Sequence, residues 1–153
     1  MAHNKEISPG GARALSAYVK LLRASETAHS QAVQPLAEHG LTPSQFAVLE
    51  ALYHLGPLCL SDLARKILKT SGNLTMVVDN LEKCGLAHRV KGEKDRRFFT
   101  VDLTADGRKL IAKIFPSHVA EIRKIMSRLT KKEQELLAAL CKKLGKTGKA
   151  ILS

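Results

Sequence analysis

The chain has 153 residues, of which 44% are hydrophobic and 25% are charged, with a formal net charge of +11. This size supports one hydrophobic core. The sequence holds no apolar run of the ~18 residues that a membrane span needs, no secretion signal over Met1 to Gly11, and no cysteine spacing typical of disulfide frameworks or zinc sites. We therefore expect one cytoplasmic domain. The basic excess lies after Leu60, where 21 Lys and Arg face 10 Asp and Glu, and indicates a polyanionic partner: DNA, acidic lipid or acidic protein.

The first part of the chain predicts two helices. Residues 12–39 carry apolar side chains at helical spacing and predict a long helix that bends near Pro35. Thr42-Pro43-Ser44-Gln45 combines a capping threonine, a proline at the first helical position and a glutamine that closes a capping box. This motif predicts a second helix that ends near Leu55, before Gly56-Pro57.

The middle of the chain predicts two helices joined by a tight turn. Ser61 is a cap for a short helix from Asp62 to Leu68, and another helix runs from Ser71 to about Cys84. One face of the later helix is an apolar stripe, whereas the opposite face is polar with few charges, unlike an ordinary solvent-facing helix. The stripe comprises Leu74, Val77, Val78 and Leu81, and the polar face comprises Asn73, Thr75, Met76, Asp79, Asn80 and Lys83.

The remaining elements are a hairpin and two helices. Two short β-like segments, Leu86 to Val90 and Phe98 to Leu103, flank a charged loop and predict a protruding hairpin. Helical periodicity then continues from Thr104 to about Arg128. Another capping box, Thr130-Lys131-Lys132-Glu133, begins a last helix whose end, Lys142 to Ser153, is expected to fray into a basic tail.

A short helix, a tight turn and a helix with a polar outer face form a helix-turn-helix, in which the second helix enters the DNA major groove. Asparagine pairs with adenine, serine and threonine pair with several bases, and methionine contacts the thymine methyl, so this face suits base reading. The helix N-terminus also suits phosphate, although capping alone equally explains Ser71. The candidate DNA-binding residues on this helix are Ser71, Gly72, Asn73, Thr75, Met76 and Asn80.

The hairpin loop supplies further cations. A lone charged loop is usually a solvated turn, but directly after a helix-turn-helix it forms a wing that reaches the neighbouring minor groove, where guanidinium groups are favoured. The candidate wing residues are Lys91, Lys94, Asp95, Arg96 and Arg97. The predicted fold class is therefore mainly α with a small β-hairpin wing, that is, a winged helix-turn-helix plus a helical dimerisation region.

Four motifs follow one another in an order typical of one family: Leu41-Thr42-Pro43-Ser44-Gln45-Phe46, then Leu63-Ala64, then Leu81-Glu82-Lys83-Cys84-Gly85-Leu86, and finally Asp95-Arg96-Arg97 with Leu103-Thr104. In this order they resemble the MarR family (multiple antibiotic resistance regulators), whose wing signature is the last of them. The resemblance covers the order of elements over nearly the whole chain and is most specific between Leu41 and Thr104.

The resemblance implies one domain over 1–153, with a DNA-binding part at about 41–103 and dimerisation helices at about 12–39 and 105–145. It implies a homodimer that grips a near-palindromic site on double-stranded DNA. The terminal helices carry more apolar surface than a lone winged domain needs, which fits burial between two chains, although a monomer core is the alternative. The candidate dimerisation residues are Leu15, Val19, Leu22, Leu136, Leu140 and Leu144.

The resemblance also assigns roles within the wing: Asp95 braces Arg97, which enters the minor groove, and Arg96 is a second candidate for that contact. Two positions depart from the family pattern. Asn80 and Cys84 stand where basic residues are common, which puts one expected contact to the DNA backbone in doubt.

The family logic implies a repressor released when a small molecule shifts the protein between two forms. Phe46, Tyr53 and His54 suit a phenolic, quinone-like or aromatic carboxylate effector, although the last two also fit as core residues. A redox-responsive repressor that uses Cys84 is an alternative. Three expectations oppose it: cysteines are usually buried, no basic or helix-N-terminal setting that lowers a thiol pKa is evident for Cys59, and no pair of cysteines is close in sequence.

Two other classes compete with a sequence-reading regulator. The six histidines form no metal-ligand spacing, and the sequence holds no phosphate loop, nucleophile elbow or paired carboxylates, so we expect no enzyme, no cofactor and no metal. A nonspecific nucleoid-type DNA-binding protein with the same fold remains open, because charge alone binds DNA without reading its sequence.

Overall fold

A computed structural model of the chain describes residues 7–67, 71–92 and 99–147, apart from the side chains of Ser71, Gly72 and Thr147. It is mostly helical with one antiparallel hairpin, which confirms the predicted fold class. The elements are α1 (Pro9–Val33), a 3₁₀ helix (Gln34–His39), α2 (Pro43–Leu55), α3 (Leu60–Ile67), α4 (Ser71–Lys83), β1 (Ala87–Lys91), β2 (Phe99–Leu103), α5 (Ala105–Met126) and α6 (Lys131–Thr147).

The first helix differs from its prediction at both ends. It begins at Pro9 rather than Ala12, where the hydroxyl of Ser8 accepts a hydrogen bond from the Gly11 amide at 3.2 Å. It ends at Val33, and a 3₁₀ helix replaces the expected bend, because Pro35 lacks an amide hydrogen and disfavours α-helical geometry in the preceding residue. Gly40 closes this segment in the left-handed conformation, with φ of 68°.

The capping box at the start of α2 is confirmed. The Thr42 amide donates to Gln45 Oε1 at 2.8 Å, and the Gln45 amide donates to Thr42 Oγ1 at 3.2 Å. Pro43 occupies the first helical turn, where its missing amide hydrogen costs nothing. The motif therefore fixes where α2 begins and which of its faces, carrying Phe46 and Leu49, enters the core.

The prediction that Ser61 caps α3 is wrong. The helix begins at Leu60, and the residue before it is Cys59, whose carbonyl accepts a hydrogen bond from the Leu63 amide at 2.9 Å. Cys59 Sγ also donates to Asp62 Oδ2 at 3.1 Å. The expected inward face is confirmed, since Leu63 and Ala64 are buried.

The first strand of the hairpin begins and ends one residue later than predicted, whereas the second ends at Leu103 as predicted, and Phe98 lies outside the described residues. Ala87 pairs with Leu103 and Lys91 pairs with Phe99 in an antiparallel register. Leu58 forms an additional bridge to Val101, through hydrogen bonds in both directions, so that the segment between α2 and α3 extends the base of the hairpin.

Two compact units make up the chain: one comprises Val33–Val119, and the other comprises Met1–Ala32 together with Ala120–Ser153. All buried hydrophobic side chains among the described residues belong to the first unit, and they form one core. They are Leu36, Leu41, Phe46, Val48, Leu49, Leu52, Leu63, Ala64, Leu74, Val78, Leu81, Ala87, Val101, Leu103, Ile111 and Ile114.

The capping box that begins α6 is also confirmed. Glu133 Oε2 accepts hydrogen bonds from the Thr130 amide at 2.7 Å and from Thr130 Oγ1 at 2.9 Å, and the Glu133 amide donates to Thr130 Oγ1 at 3.4 Å. The helix continues to Thr147, so the expectation that fraying begins at Lys142 is wrong over this stretch, while 148–153 lie outside the described residues. Lys142 and Lys143 lie within regular helix.

Candidate nucleic-acid interface

Helix α4 separates an apolar face from a polar face, as predicted. Leu74, Val78 and Leu81 are buried in the core, with at most 1% of each side chain exposed, and Val77 is half-buried. This packing holds the other face outward. The exposed residues of that face include Asn73, Thr75, Met76 and Asn80, and Met76 is 68% exposed.

The exposure of Met76 is unusual because burying a methionine side chain is favourable by about 1.5–3 kcal/mol. It stands among neutral polar groups rather than in the lattice of Glu and Lys that covers most surface helices. The outward face of α4 is therefore shaped for contact with a partner that offers both hydrogen-bonding and apolar groups.

The other predicted DNA-binding residues are placed only in part. The backbone of Ser71 and Gly72 forms the first turn of α4. Lys91 is exposed at the end of β1. Lys94, Asp95, Arg96 and Arg97 lie outside the described residues, so their roles stay predictions.

Sequence reasoning missed two cations on α3. Arg65 and Lys66 are both exposed, and Arg65 lies on the side of the helix opposite the buried Leu63. Arg65 forms an ion pair with Asp62, and hydrogen bonds from Cys59 and Arg65 lower the pKa of the Asp62 carboxyl. The signal was present in the sequence, since neither residue belongs to the apolar positions that form the inward face of this short amphipathic helix.

A third missed residue is Arg89, on β1. Its guanidinium donates to Glu82 and, at 2.6 Å, to Asp79 Oδ1, both on α4. Its backbone amide donates to Glu82 Oε1 at 2.8 Å, and its guanidinium carbon lies 5.4 Å from the centre of the Phe99 ring on β2. No local pattern in the sequence indicates this contact, because it depends on how β1 docks against α4.

The residues proposed for an effector differ in exposure. Phe46 is buried and its ring lies 4.5 Å from that of His118 on α5, Tyr53 is half-buried, and His54 is exposed. The alternative that His54 is a core residue is therefore wrong. The rings of His54 and Phe115 are 4.6 Å apart, so a row of aromatic and imidazole rings joins α2 to α5.

An open depression lies beside this ring cluster, at Tyr53. It has a volume of about 700 Å³, and its remaining lining residues are Ala105, Arg108, Lys109 and Ala112, all on α5. The depression combines a phenol ring with two cations, which is the chemistry that binds an aromatic anion.

The positions of the cysteines contradict two of the three expectations set against a redox mechanism. Cys84 and Cys141 are exposed, and Cys59 directly precedes α3 at the N-terminal end of that helix. All three are free thiols.

No group of three potential metal ligands occurs among residues 7–67, 71–92 and 99–147. Across the same ranges, no helix is both long enough and apolar enough to cross a membrane.

Helices α3 and α4 and the hairpin together define a winged helix-turn-helix, a class of DNA-binding domain. The family model for the MarR family matches residues 41–98. The HTH-type transcriptional regulator YkoM of Bacillus subtilis (strain 168) is 38% identical over 133 residues, which cover 87% of this chain and 86% of YkoM. MhqR of the same organism is 37% identical over 137 residues, covering 90% and 94% of the two chains.

The chain therefore belongs to the MarR family of transcriptional regulators, as its motifs predicted. The transcriptional repressor MdtR of B. subtilis is also similar, with 31% identity over 71% of this chain and 72% of its own. Because these relatives are regulators, the prediction that the chain is not an enzyme is confirmed.

Solved structures agree on the fold. AbsC from Streptomyces coelicolor, a MarR family regulator, has a TM-score of 0.81 with 24% identity, over 89% of this chain and 94% of AbsC. Staphylococcus aureus MepR in complex with DNA has a TM-score of 0.76 and 26% identity, over 85% and 97%. NadR in complex with 4-hydroxyphenylacetate has a TM-score of 0.71 and 30% identity, over 84% and 91%.

Proposed function

We propose that this regulator binds a near-palindromic DNA operator as a homodimer, reads bases with the outward face of α4, and acts as a repressor released by a small aromatic ligand. One observation carries the proposal: the buried stripe of α4 fixes an opposite face with exposed Asn73, Met76 and Asn80. The similarity to MepR, solved in complex with DNA, supports the same partner for this chain.

The groups on this face match the edges of DNA bases. In the major groove, the Asn73 amide pairs with adenine, Thr75 bonds to a base or a phosphate, and the Met76 side chain contacts a thymine methyl. Lys91 and the wing cations then hold the backbone and the adjacent minor groove. The net charge of +11 supplies the electrostatic attraction on which these contacts build.

The terminal helices support a dimer. None of the residues of α1 is buried. In α6, every residue with a described side chain is exposed except Gln134, which is half-buried. Leu15, Leu22, Leu136 and Leu140 are each about half exposed or more, whereas Val19 is half-buried. Such apolar helices are stable when a second copy covers them.

A groove within this helical unit supports the dimer proposal. It has a volume of about 560 Å³ and is lined mainly by apolar residues of α1, α5 and α6. Leu21, Met126 and Leu137 are among its walls, and small residues such as Ala24 and Ala28 deepen it. We expect a helix of the partner chain to occupy the groove, because its walls are mainly apolar.

The effector proposal rests on the depression at Tyr53. An aromatic carboxylate would stack on the Tyr53 ring while Arg108 and Lys109 pair with its charge. NadR, solved with the aromatic acid 4-hydroxyphenylacetate, supports this ligand class, and MdtR, a repressor by name, supports repression. Titration calorimetry with 4-hydroxyphenylacetate should show binding to the wild type and at least tenfold weaker binding to Arg108→Ala; equal affinities would remove this depression as the site.

The experiment that tests DNA reading is selection of bound duplexes from a random pool, by the wild type and by Asn73→Ala. The wild type should enrich a near-palindromic sequence, and Asn73→Ala should lose discrimination at one base position in each half-site. An equal loss of affinity across all sequences would show that Asn73 contacts only the DNA backbone. Arg97→Ala should weaken binding while the dimer persists; unchanged affinity would remove the wing from the proposal.

A further inference from the structure

Arg89 joins three elements of the winged domain. From β1 it reaches two carboxylates one turn apart on α4, those of Asp79 and Glu82, and its guanidinium lies against Phe99 at the start of β2. Only 23% of its side chain is exposed. A planar guanidinium has the geometry to bridge two carboxylates and to stack on a ring at the same time, which the point charge of a lysine does not.

The Arg89 backbone strengthens the same joint. Its amide donates to one oxygen of Glu82 while its guanidinium donates to the other, so that one carboxylate binds main chain and side chain together. The bonded amide belongs to β1, whose outer edge has no partner strand among the described residues. Side chains of α4 thus supply partners that the hairpin itself does not provide.

We propose that Arg89 is a positioning residue for sequence recognition: it fixes the angle between α4 and the hairpin, and this angle determines whether both reach their DNA contacts together. The inference rests on the proposed function. Major-groove and minor-groove contacts are made by different elements, and displacement of one element by about 1 Å is enough to cost a large part of the binding energy of well-oriented groups.

The charges of this joint allow geometry to be separated from electrostatics. Asp79 and Glu82 are negative groups on the helix that meets DNA, and Arg89 neutralises one of the two charges. Replacing both carboxylates by amides, in Asp79→Asn/Glu82→Gln, removes two repulsions with phosphate and should strengthen binding to any DNA. If the angle between α4 and the hairpin determines recognition, the same change should weaken the preference for the DNA sequence that the wild type selects.

The test measures two affinities for each variant: for a duplex selected by the wild type from random DNA, and for an unrelated duplex of equal length. Arg89→Lys keeps the charge and should bind the unrelated duplex within about twofold of the wild type, while its preference for the selected duplex falls about tenfold. Asp79→Asn/Glu82→Gln should bind the unrelated duplex more tightly and show a similarly reduced preference. Arg123→Lys makes the matched change at an exposed position of α5 and should leave both affinities unchanged.

If Arg89 had a merely structural role, its substitution would reduce the fraction of folded protein, which lowers both affinities in proportion and leaves their ratio constant. Thermal unfolding of each variant measures that loss of folded protein. A constant ratio in Arg89→Lys, with or without a lower unfolding temperature, would overturn the inference. A wild type that prefers no sequence at all would overturn the proposed function, and the inference with it.

Discussion

The substitution Gly107→Ala tests how the hairpin is joined to α5. Gly107 lies in the first turn of α5, and a Cβ added there would overlap the carbonyl oxygen of Leu86 and lie 2.9 Å from its carbonyl carbon. Carbon atoms in contact are separated by about 3.5 Å or more, so the carbon contact alone requires the backbone to move by ~0.6 Å, and the closer overlap with the oxygen requires more. The same carbonyl accepts a hydrogen bond from the Thr104 amide at 3.1 Å, which such a movement would weaken.

The expected magnitude follows from these opposing effects. Overpacking against backbone costs about 1–3 kcal/mol and a weakened hydrogen bond about 1 kcal/mol more, whereas the helix propensity of alanine returns about 1 kcal/mol. We expect the free energy of unfolding to fall by about 2 kcal/mol, which corresponds to a decrease in melting temperature of roughly 4–8 °C. Urea denaturation and calorimetry measure both quantities.

Gly145→Ala is the matched control. Gly145 is an exposed residue of α6, and a Cβ added there meets nothing within 4 Å. The same change should therefore raise stability, by up to about 1 kcal/mol. If Gly107→Ala proved as stable as the wild type, the close approach between Leu86 and α5 would not exist in solution.

Three further predictions concern the capping boxes and the terminal helices. Thr42→Ala removes the acceptor for the Gln45 amide and should cost about 1 kcal/mol in denaturant unfolding; a loss near zero would mean that the box does not hold α2. Leu140→Asp places a charge on the exposed apolar face of α6 and should yield monomers in sedimentation velocity, whereas an unchanged dimer would exclude this face from the interface. Hydrogen bonds from the Thr130 amide and then its hydroxyl lower the pKa of Glu133 below its ordinary value of 4.5, so the cap stabilises the fold above that pH and weakens as pH falls through the lowered pKa. In Thr130→Val, the hydroxyl is lost, and carboxyl NMR titration should show the Glu133 pKa raised part of the way to its ordinary value. An unchanged pKa would contradict the assigned cause.

Local sequence signals predicted most of the fold. Capping boxes, glycines that end helices and apolar spacing located both ends of α2 and α4, the start of α6 and the strands of the hairpin to within one or two residues. Each of these signals acts within one helical turn or one strand pair. The errors occurred where a weaker signal competed. Ser61 is a strong capping type, yet Cys59 takes the position before α3, and Pro35 ends a helix that its apolar pattern would continue.

The candidate site was predictable only to the extent that it follows from helical periodicity. The outward face of α4 could be derived because its buried stripe is periodic, and Met76 and Asn73 follow from that stripe. The contacts of Arg89 could not, since they join residues seven and ten positions apart across a docked helix and strand. The close approach at Gly107 likewise depends on tertiary packing, which glycine alone in a sequence does not reveal.

The most direct test of the central claim removes one methyl group from the DNA. In a duplex selected by the wild type, each thymine is replaced in turn by uracil, and binding is measured for the wild type and for Met76→Ala. At one thymine or more in each half-site, loss of the methyl should weaken wild-type binding about fourfold, as burial of a single carbon implies, and should leave Met76→Ala unaffected. If both proteins respond alike at every thymine, or neither responds, the exposed face of α4 does not read DNA through Met76 as proposed.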